Sequence, residues 1–487
     1  MLFNSYEFIF IFLPVSISLY FFLQNRIHAG AAILWLVALS LIFYGWWNPI
    51  YIPLIMGSIA FNYVIGTFLT KKRETISSTG KKFILVFAIV LNLLLLGYFK
   101  YSDFFISNLN AVTGTAYNPL KVVLPLGISF FTFTQIAYIV DTYKGVVTEY
   151  GLSKYSLFVT FFPHLLAGPI IHHKEMMPQF EALSGKRLNY ESLSKGVFLF
   201  AIGLFKKVVI ADTFALWANN GFNSISGSVN MIDAWIMSLS YTFQIYFDFS
   251  GYTDMALGAA LMFNIKLPAN FHSPYKSLNI QEFWRRWHIT LSRFMREYIY
   301  IPLGGNRTGE SRILFNLFIT FLIGGLWHGA SWTFVFWGVL HGLAILAYRM
   351  WGKINIAIPD VLAWALTFNF VNMAWIFFRA KNFPDAIAIL KGMLGFGQIA
   401  LPKAIALKLS FLNAYGIQFN IAETSANLTK PAIFIIMATI TVLCFHNSNE
   451  LVLKFKPDAV HLFCVMTVLL ISILHLGGHS EFLYFQF

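Results

Sequence analysis

Long apolar blocks fill most of the chain, and polar residues fall mainly in short stretches between them. "FIFIFLPVSISLYFFL", "AAILWLVALSLIFYGWW", "FILVFAIVLNLLLLGYF" and "LFCVMTVLLISILHL" are examples. Such blocks approach the ~20 apolar residues that carry a helix across a hydrocarbon core of about 30 Å. They are helical lengths, not the roughly ten-residue alternating strands of an outer-membrane barrel. Four spans are expected over residues 7–98. The next apolar stretches are broken, "VVLPLGISFFTFTQIAYIVDTYKG" by Pro125 and Gly127 and "FFPHLLAGPIIHH" by Pro163, Gly168 and Pro169. Broken helix at membrane depth is tolerated where backbone is buried in protein or lines a wet cavity, so this middle region is expected to be the working part.

Apolar helix resumes over 193–212 and 232–262, with Gln244, Asp248 and Asp254 inside it. A polar segment at 264–312 precedes spans at 313–327, 331–350 and 361–378. Residues 380–430 read as extramembrane or interfacial, and spans near 431–445 and 459–477 follow. The pattern predicts an all-α integral membrane protein of about 11 spanning helices with added re-entrant or interfacial helices. It reads as one polytopic domain: N-terminal spans over 1–98, a core over 119–350 and C-terminal spans over 361–487.

Composition agrees: 58% of the 487 residues are hydrophobic and only 11% are charged, against about 25% charged in soluble domains. The first span begins near Phe8 with no basic residue before it, so it reads as a retained helix and not a cleaved signal. The net charge of +13 resides largely in short loops such as "KKRE" at 71–74. It therefore sets orientation, with those loops cytoplasmic and the first residues outside, and is not a nucleic-acid signature. Cys444 and Cys464 sit in apolar spans and are expected to be small core residues, with no disulfide or metal role.

Two segments carry candidate chemistry. In "NIQEFWRRWHITLSRFMREYIYIPLGGNR" at 279–307, helical projection of 284–298 puts Trp284, Trp287, His288, Leu291, Phe294, Met295 and Tyr298 on one arc. Arg285, Arg286, Ser292, Arg293, Arg296 and Glu297 take the other, and only Ile289 is misplaced. This is the pattern of an interfacial helix anchored to lipid headgroups. A sharper reading has Arg285, Arg286, Arg293 and Arg296 hold a phosphate-bearing or acidic partner, since the guanidinium fork pairs with such groups.

In "FLIGGLWHGASWTFVFWGVLHG" at 321–342, His328 lies between two spans beside Gly324, Gly325 and Gly329. An ionisable residue at membrane depth is a functional candidate, and a desolvated, neutral imidazole suits a general base. The plainer alternative is a hydrogen bond across helices, which suits His341 better. His164, His172 and His173 show no metal-site spacing, and Asp248 and Asp254 read as helix bridges near Gly251.

"FWRRWHITLSRFMREYIYIPLGGNR" and "GGLWHGASWTFVFWGVLHG" resemble the two signature segments of the membrane-bound O-acyltransferases. "LPLGISFFTFTQIAYIVDTYKG", "FPHLLAGPI", "YFDFSGYTDMALGAALMFNIKLPANFHSPY" and "MAWIFFRAKNFPDA" resemble the bacterial branch typified by alginate O-acetyltransferase. The resemblance implies a ring of helices around a central tunnel, and acyl transfer from a thioester to a hydroxyl. It implies a catalytic His328 and an assisting His288. It implies acetyl-CoA or another acyl thioester as donor substrate, with no bound cofactor or metal.

The implied setting is the bacterial cytoplasmic (inner) membrane, where the acetyl group passes to an extracytoplasmic polysaccharide acceptor through a periplasmic acetyltransferase partner. "FLYFQF" at 482–487 is similar to an aromatic–Tyr–aromatic motif proposed elsewhere in the branch as an acyl carrier, which makes Tyr484 the candidate relay oxygen. The alternative is an interfacial aromatic belt. An alginate-like polymer is the expected acceptor. Peptidoglycan O-acetylation and D-alanyl transfer to teichoic acid remain alternatives within the family. A transporter or flippase is the rival outside it, disfavoured by the lack of visible internal symmetry.

Overall fold

The computed structural model describes residues 1–147, 151–183, 187–225, 227–354, 356–397, 400–402, 418–421, 429–477 and 482–483. The first helices are α1 (Leu13–Arg26), α2 (Ala29–Gly45), α3 (Ile52–Lys71), α4 (Ser78–Leu96) and α5 (Ser102–Thr113). A π-helical turn, Gly97–Tyr101, joins α4 to α5 in one apolar helix of 36 residues. Then come α6 (Ile128–Lys144), α7 (Leu152–Thr160), α8 (Phe162–Leu165), α9 (His173–Glu181), α10 (Tyr190–Phe205), α11 (Asp212–Asn223) and α12 (Met231–Met262). The polar segment folds as α13 (Ile280–Arg286) and α14 (Ile289–Met295), followed by α15 (Glu310–His328), α16 (Trp332–Trp351), α17 (Asp360–Arg379) and α18 (Phe383–Met393). Apolar helices Thr429–Cys444 and Ala459–Leu474 flank a short helix, Ser448–Lys454. Residues Ala400–Pro402 and Gln418–Ile421 pair as two short parallel strands.

Helix α12 is the axis of the protein. Every residue from 240 to 260 is buried, including Gln244, Asp248, Ser250, Thr253 and Asp254. A helix sealed by protein on all sides can carry polar atoms at membrane depth, because its neighbours satisfy them. Lys206 Nζ donates to Asp254 Oδ2 at 2.7 Å, and Lys207 is paired with both Asp248 and Asp212. The two aspartates therefore bridge helices, and both lysines sit in a π-helical turn, Lys206–Ala211, that continues α10.

Glycines set the approach of α10 to α12. A Cβ at Gly203 would lie 2.6 Å from the Gly251 carbonyl oxygen, and one at Gly196 would lie 2.7 Å from that of Gly258. The glycines are seven residues apart on each helix, so two turns of backbone touch directly. Small residues at such crossings are how membrane helices gain packing contact.

Six helices among the described residues are long and apolar enough to cross a membrane, or seven if Thr429–Cys444 and Ser448–Lys454, bent by 55°, form one span. Apolar helices Ala29–Gly45 and Ala459–Leu474 are shorter. This measure of length and apolarity is met by fewer helices than the about 11 spans expected. The expected spans that do not meet it are α2 and Ala459–Leu474, which are short, α10, whose 16 residues run into a π turn, and α12, which is sealed in the interior with its polar residues. The cysteines also depart from expectation: Cys444 and Cys464 are both exposed on the outside of the helix bundle.

Candidate active site

His328 is the last residue of α15, and the turn to α16 is only Gly329, Ala330 and Ser331. The Ser331 side chain caps α16 by accepting from the Thr333 amide. Glycine makes the hairpin tight. A Cβ at Gly325 would lie 2.5 Å from the Phe334 carbonyl oxygen, and one at Gly338 would lie 2.6 Å from that of Phe321. Gly325 thus admits the neighbouring helix, whereas a Cβ at Gly324 would meet only the end of the Met295 side chain, at 4.0 Å. The His328 imidazole is buried, with Trp327, Trp337 and Phe378 rings at 5.0, 5.1 and 5.1 Å.

A cavity of about 560 Å³ runs along α15 and α16. His328 and Trp337 line one end, and Tyr348 and Arg349 the other, with Leu317, Thr320, Phe321 and Gly324 between. The rise from Leu317 to His328 is roughly 16 Å of helix. Arg285, Arg293 and Arg296 line the same space. The space has charge at one end and along one wall, apolar sides, and the imidazole at the other end. A second, small pocket of about 50 Å³ touches His328 from elsewhere, between Lys100, Pro125, Gly127, Ser129 and Trp327.

The arginine-rich segment is not the single lipid-surface helix that its periodicity predicts. The helix breaks at Trp287 and His288, whose φ of 42° lies in the left-handed region. A bulky residue held there stores strain, which concentrates at functional sites. Trp287 packs in the interior against Phe271, Phe283 and Trp375 at 5.0–5.6 Å. The apolar arc therefore meets protein and not lipid. His288 Nδ1 lies 3.2 Å from Asn270 Oδ1, which also accepts from the Thr290 amide and hydroxyl. Trp327 touches both histidines, 6.5 Å from the His288 ring and 5.0 Å from that of His328.

The arginines separate into different jobs. Arg286 does not line the cavity; it donates to Glu282 at 2.7 Å and to the His272 carbonyl at 3.3 Å. Of the four candidate arginines it is the one outside this cavity, with its fork on its own helix and a neighbouring loop. Arg293 lines the cavity yet grips Glu175 through both oxygens, at 2.6 and 3.0 Å. Burial pushes the Glu175 carboxyl up, and the Arg293 fork pulls it further down, below the usual carboxylate range. Arg285 has no carboxylate partner among the described residues, and Arg296 makes one contact of 3.4 Å with adjacent Glu297. These two are the cations most available to an anionic ligand.

Sequence reasoning passed over Arg349, which lines the cavity and pairs with Glu310 at 2.8 Å, and Lys100. A lone lysine inside an apolar run was the available signal. The other histidines have local partners. Trp284 Nε1 donates to His341 Nδ1 at 3.2 Å, and His164 Nε2 sits 3.0 Å from the Phe158 carbonyl. His172 lies 3.3 Å from the Tyr298 hydroxyl.

Tyr484 lies outside the described residues, whereas Phe482 and Leu483 before it are described. Phe482 and Leu483 are buried. Phe482 stacks on Tyr252 at 4.3 Å and reaches Phe249, whose ring meets His288 at 4.8 Å. The Leu483 amide donates to Asp248 Oδ2 at 3.0 Å.

The family model for the membrane-bound O-acyltransferases matches residues 128–383, which hold both histidines, the arginines and the α15–α16 hairpin. The chain belongs to the membrane-bound O-acyltransferase family. It is 46% identical to a peptidoglycan O-acetyltransferase of Helicobacter pylori over 100% of this chain and 98% of that one. It is 40% identical to a probable alginate O-acetylase of Pseudomonas aeruginosa over 82% of this chain and 75% of the relative. A teichoic acid D-alanyltransferase of Bacillus subtilis is 28% identical over 54% of this chain and 71% of its own. This membrane-bound O-acyltransferase is thus an O-acetyltransferase of the bacterial branch, with several apolar helices crossing the membrane.

Proposed function

We propose that this membrane-bound O-acyltransferase takes an acetyl group from a cytoplasmic thioester, acetyl-CoA, and passes it outward for O-acetylation of peptidoglycan. The observation that carries the reading is the cavity with His328 at its inner end and Arg285, Arg293 and Arg296 along its wall. Arg285 and Arg296 pair with the donor's phosphates while Arg293 stays with Glu175, and the apolar stretch holds the donor's arm. His328 takes the proton of the attacking hydroxyl, and that oxygen forms a bond to the thioester carbonyl carbon. The carbon–sulfur bond then breaks, and the proton passes from the imidazole to the departing thiolate. Orientation in a narrow dry cavity supplies much of the acceleration, since well-placed reactants gain roughly 7–11 kcal/mol. His288, fixed by Asn270, assists across Trp327.

The first acceptor in this reading is the phenol of Tyr484. The burial of Phe482 and Leu483, the two residues before Tyr484 in sequence, beside the His288 cluster supports it. An extracytoplasmic transferase then moves the acetyl group to the polymer. Peptidoglycan is favoured over the alginate-like polymer by the higher identity to the Helicobacter pylori protein, 46% against 40% or less for the alginate O-acetylases. The relatives at 40% identity favour alginate as the second reading.

The test is O-acetylation measured by mass spectrometry of muropeptides and of secreted polysaccharide. His328→Ala is expected to abolish it with membrane insertion and protein level unchanged; wild-type acetylation in that variant overturns the mechanism. Acetylated secreted polysaccharide with unmodified muropeptides overturns the choice of polymer. Tyr484→Phe is expected to stop transfer, and the wild-type peptide containing Tyr484 is expected to carry a trapped acetyl group.

A further inference from the structure

Lys100 lies deep in the 36-residue apolar helix Ser78–Thr113, outside the segment that the family model matches. A lysine within an apolar span is costly and is retained for a reason. Its Nζ donates to the carbonyl oxygens of Trp327 at 2.7 Å and His328 at 3.1 Å, and lies 3.5 Å from Ser129 Oγ. The next residue repeats the pattern, since the Tyr101 hydroxyl donates to the Leu326 carbonyl at 2.8 Å. No carboxylate pairs with Lys100 among the described residues. Its contacts are therefore the carbonyls that α15 leaves open at its end, where a cation also meets the negative pole of the helix.

Local structure explains the reach. Lys100 sits in the π-helical turn Gly97–Tyr101, and such turns, frequent at functional sites, insert a residue and turn the following side chains to a new face. Here residues 100 and 101 both face the end of α15, more than two hundred residues further along the chain. His328 has no following helical turn to hold it, only Gly329 and a short hairpin. To the packing of that tight hairpin Lys100 adds a direct hold on the main chain from which the imidazole projects.

We infer that Lys100 is a positioning residue: its ammonium clamps the last carbonyls of α15 and holds His328 between the arginine-lined cavity and the small pocket that Lys100 itself lines. The inference rests on the reading of His328 as the base. A simple cap would stabilise the helix and leave turnover by the folded enzyme unchanged. A clamp on the base controls the geometry of proton transfer, where a shift of about 1 Å can cost roughly 100-fold in rate.

The experiment is steady-state kinetics of the full-length protein in proteoliposomes, with acetyl-CoA as the probe donor. Lys100→Met is expected to lower kcat roughly 100-fold with KM for acetyl-CoA unchanged within about twofold. Lys100→Arg, which keeps the charge and donors, is expected to recover most of that loss. A kcat for Lys100→Met within about threefold of wild type, a defect confined to KM, or an arginine variant as slow as the methionine variant overturns the inference. If Lys100→Met does not accumulate in the membrane, Lys100→Gln, which keeps one donor, carries the same comparison. His328→Ala is run in parallel. If it turns over normally, the base reading fails; if it is inactive while Lys100→Met is unaffected, only the clamp fails.

Discussion

Substituting Lys207 tests how the interior of α12 is held together. Lys207 is 3% exposed and Asp248 is 1% exposed. The ammonium pairs with Asp248 Oδ1 and lies 3.0 Å from Asp212 Oδ1, while Asp248 Oδ2 accepts the Leu483 amide. Lys207→Met keeps the length of the side chain and removes its charge. Asp248 would then be a buried carboxylate held by one backbone amide, and breaking a buried pair in this way costs about 3–5 kcal/mol. In Lys207→Met/Asp248→Asn both charges of the pair are gone, and the asparagine oxygen still accepts from Leu483. The double variant is therefore expected to be more stable than Lys207→Met, with a coupling free energy of about 2 kcal/mol or more. Unfolding in mixed micelles of rising denaturing-detergent fraction measures all four corners of the cycle. A Lys207→Met protein within about 1 kcal/mol of wild type, or a double variant as unstable as the sum of the singles, refutes the buried-pair argument.

Three further outcomes are expected. Arg285→Ala together with Arg296→Ala should raise KM for acetyl-CoA several-fold, whereas Arg286→Ala should leave KM unchanged and cost only about 0–1 kcal/mol, because its pair with Glu282 is near the surface; donor titrations of the three proteins check this. Gly203→Leu should destabilise by about 1–3 kcal/mol or more through overpacking against Gly251, read as a lower thermal midpoint in detergent. Asn270→Ala should reduce kcat more than KM by freeing His288, and its measured midpoint separates that effect from loss of fold.

The length of the apolar runs alone settled that helices cross a membrane, because every backbone polar group in hydrocarbon must be satisfied within the helix. The residues around His328 and His288 were also legible, since each segment keeps its signature in consecutive positions. What periodicity reports is the side of a helix that avoids water. It does not distinguish lipid from protein as the apolar neighbour. For that reason the segment around Trp287 read as a surface anchor, although it is buried in the core.

The break at His288 was invisible for the same reason: apolar spacing continues across it while the backbone turns left-handed. Arg285 and Arg286 are chemically equivalent in sequence, and only the packing of α13 sends one to the cavity and the other to Glu282. Lys100, Lys207 and Asp248 read as isolated polar atoms until the fold supplies their partners, Lys100 from more than two hundred residues away. A sequence states which groups must be satisfied once water is removed. Which of them satisfy one another depends on distances that exist only after the helices have packed.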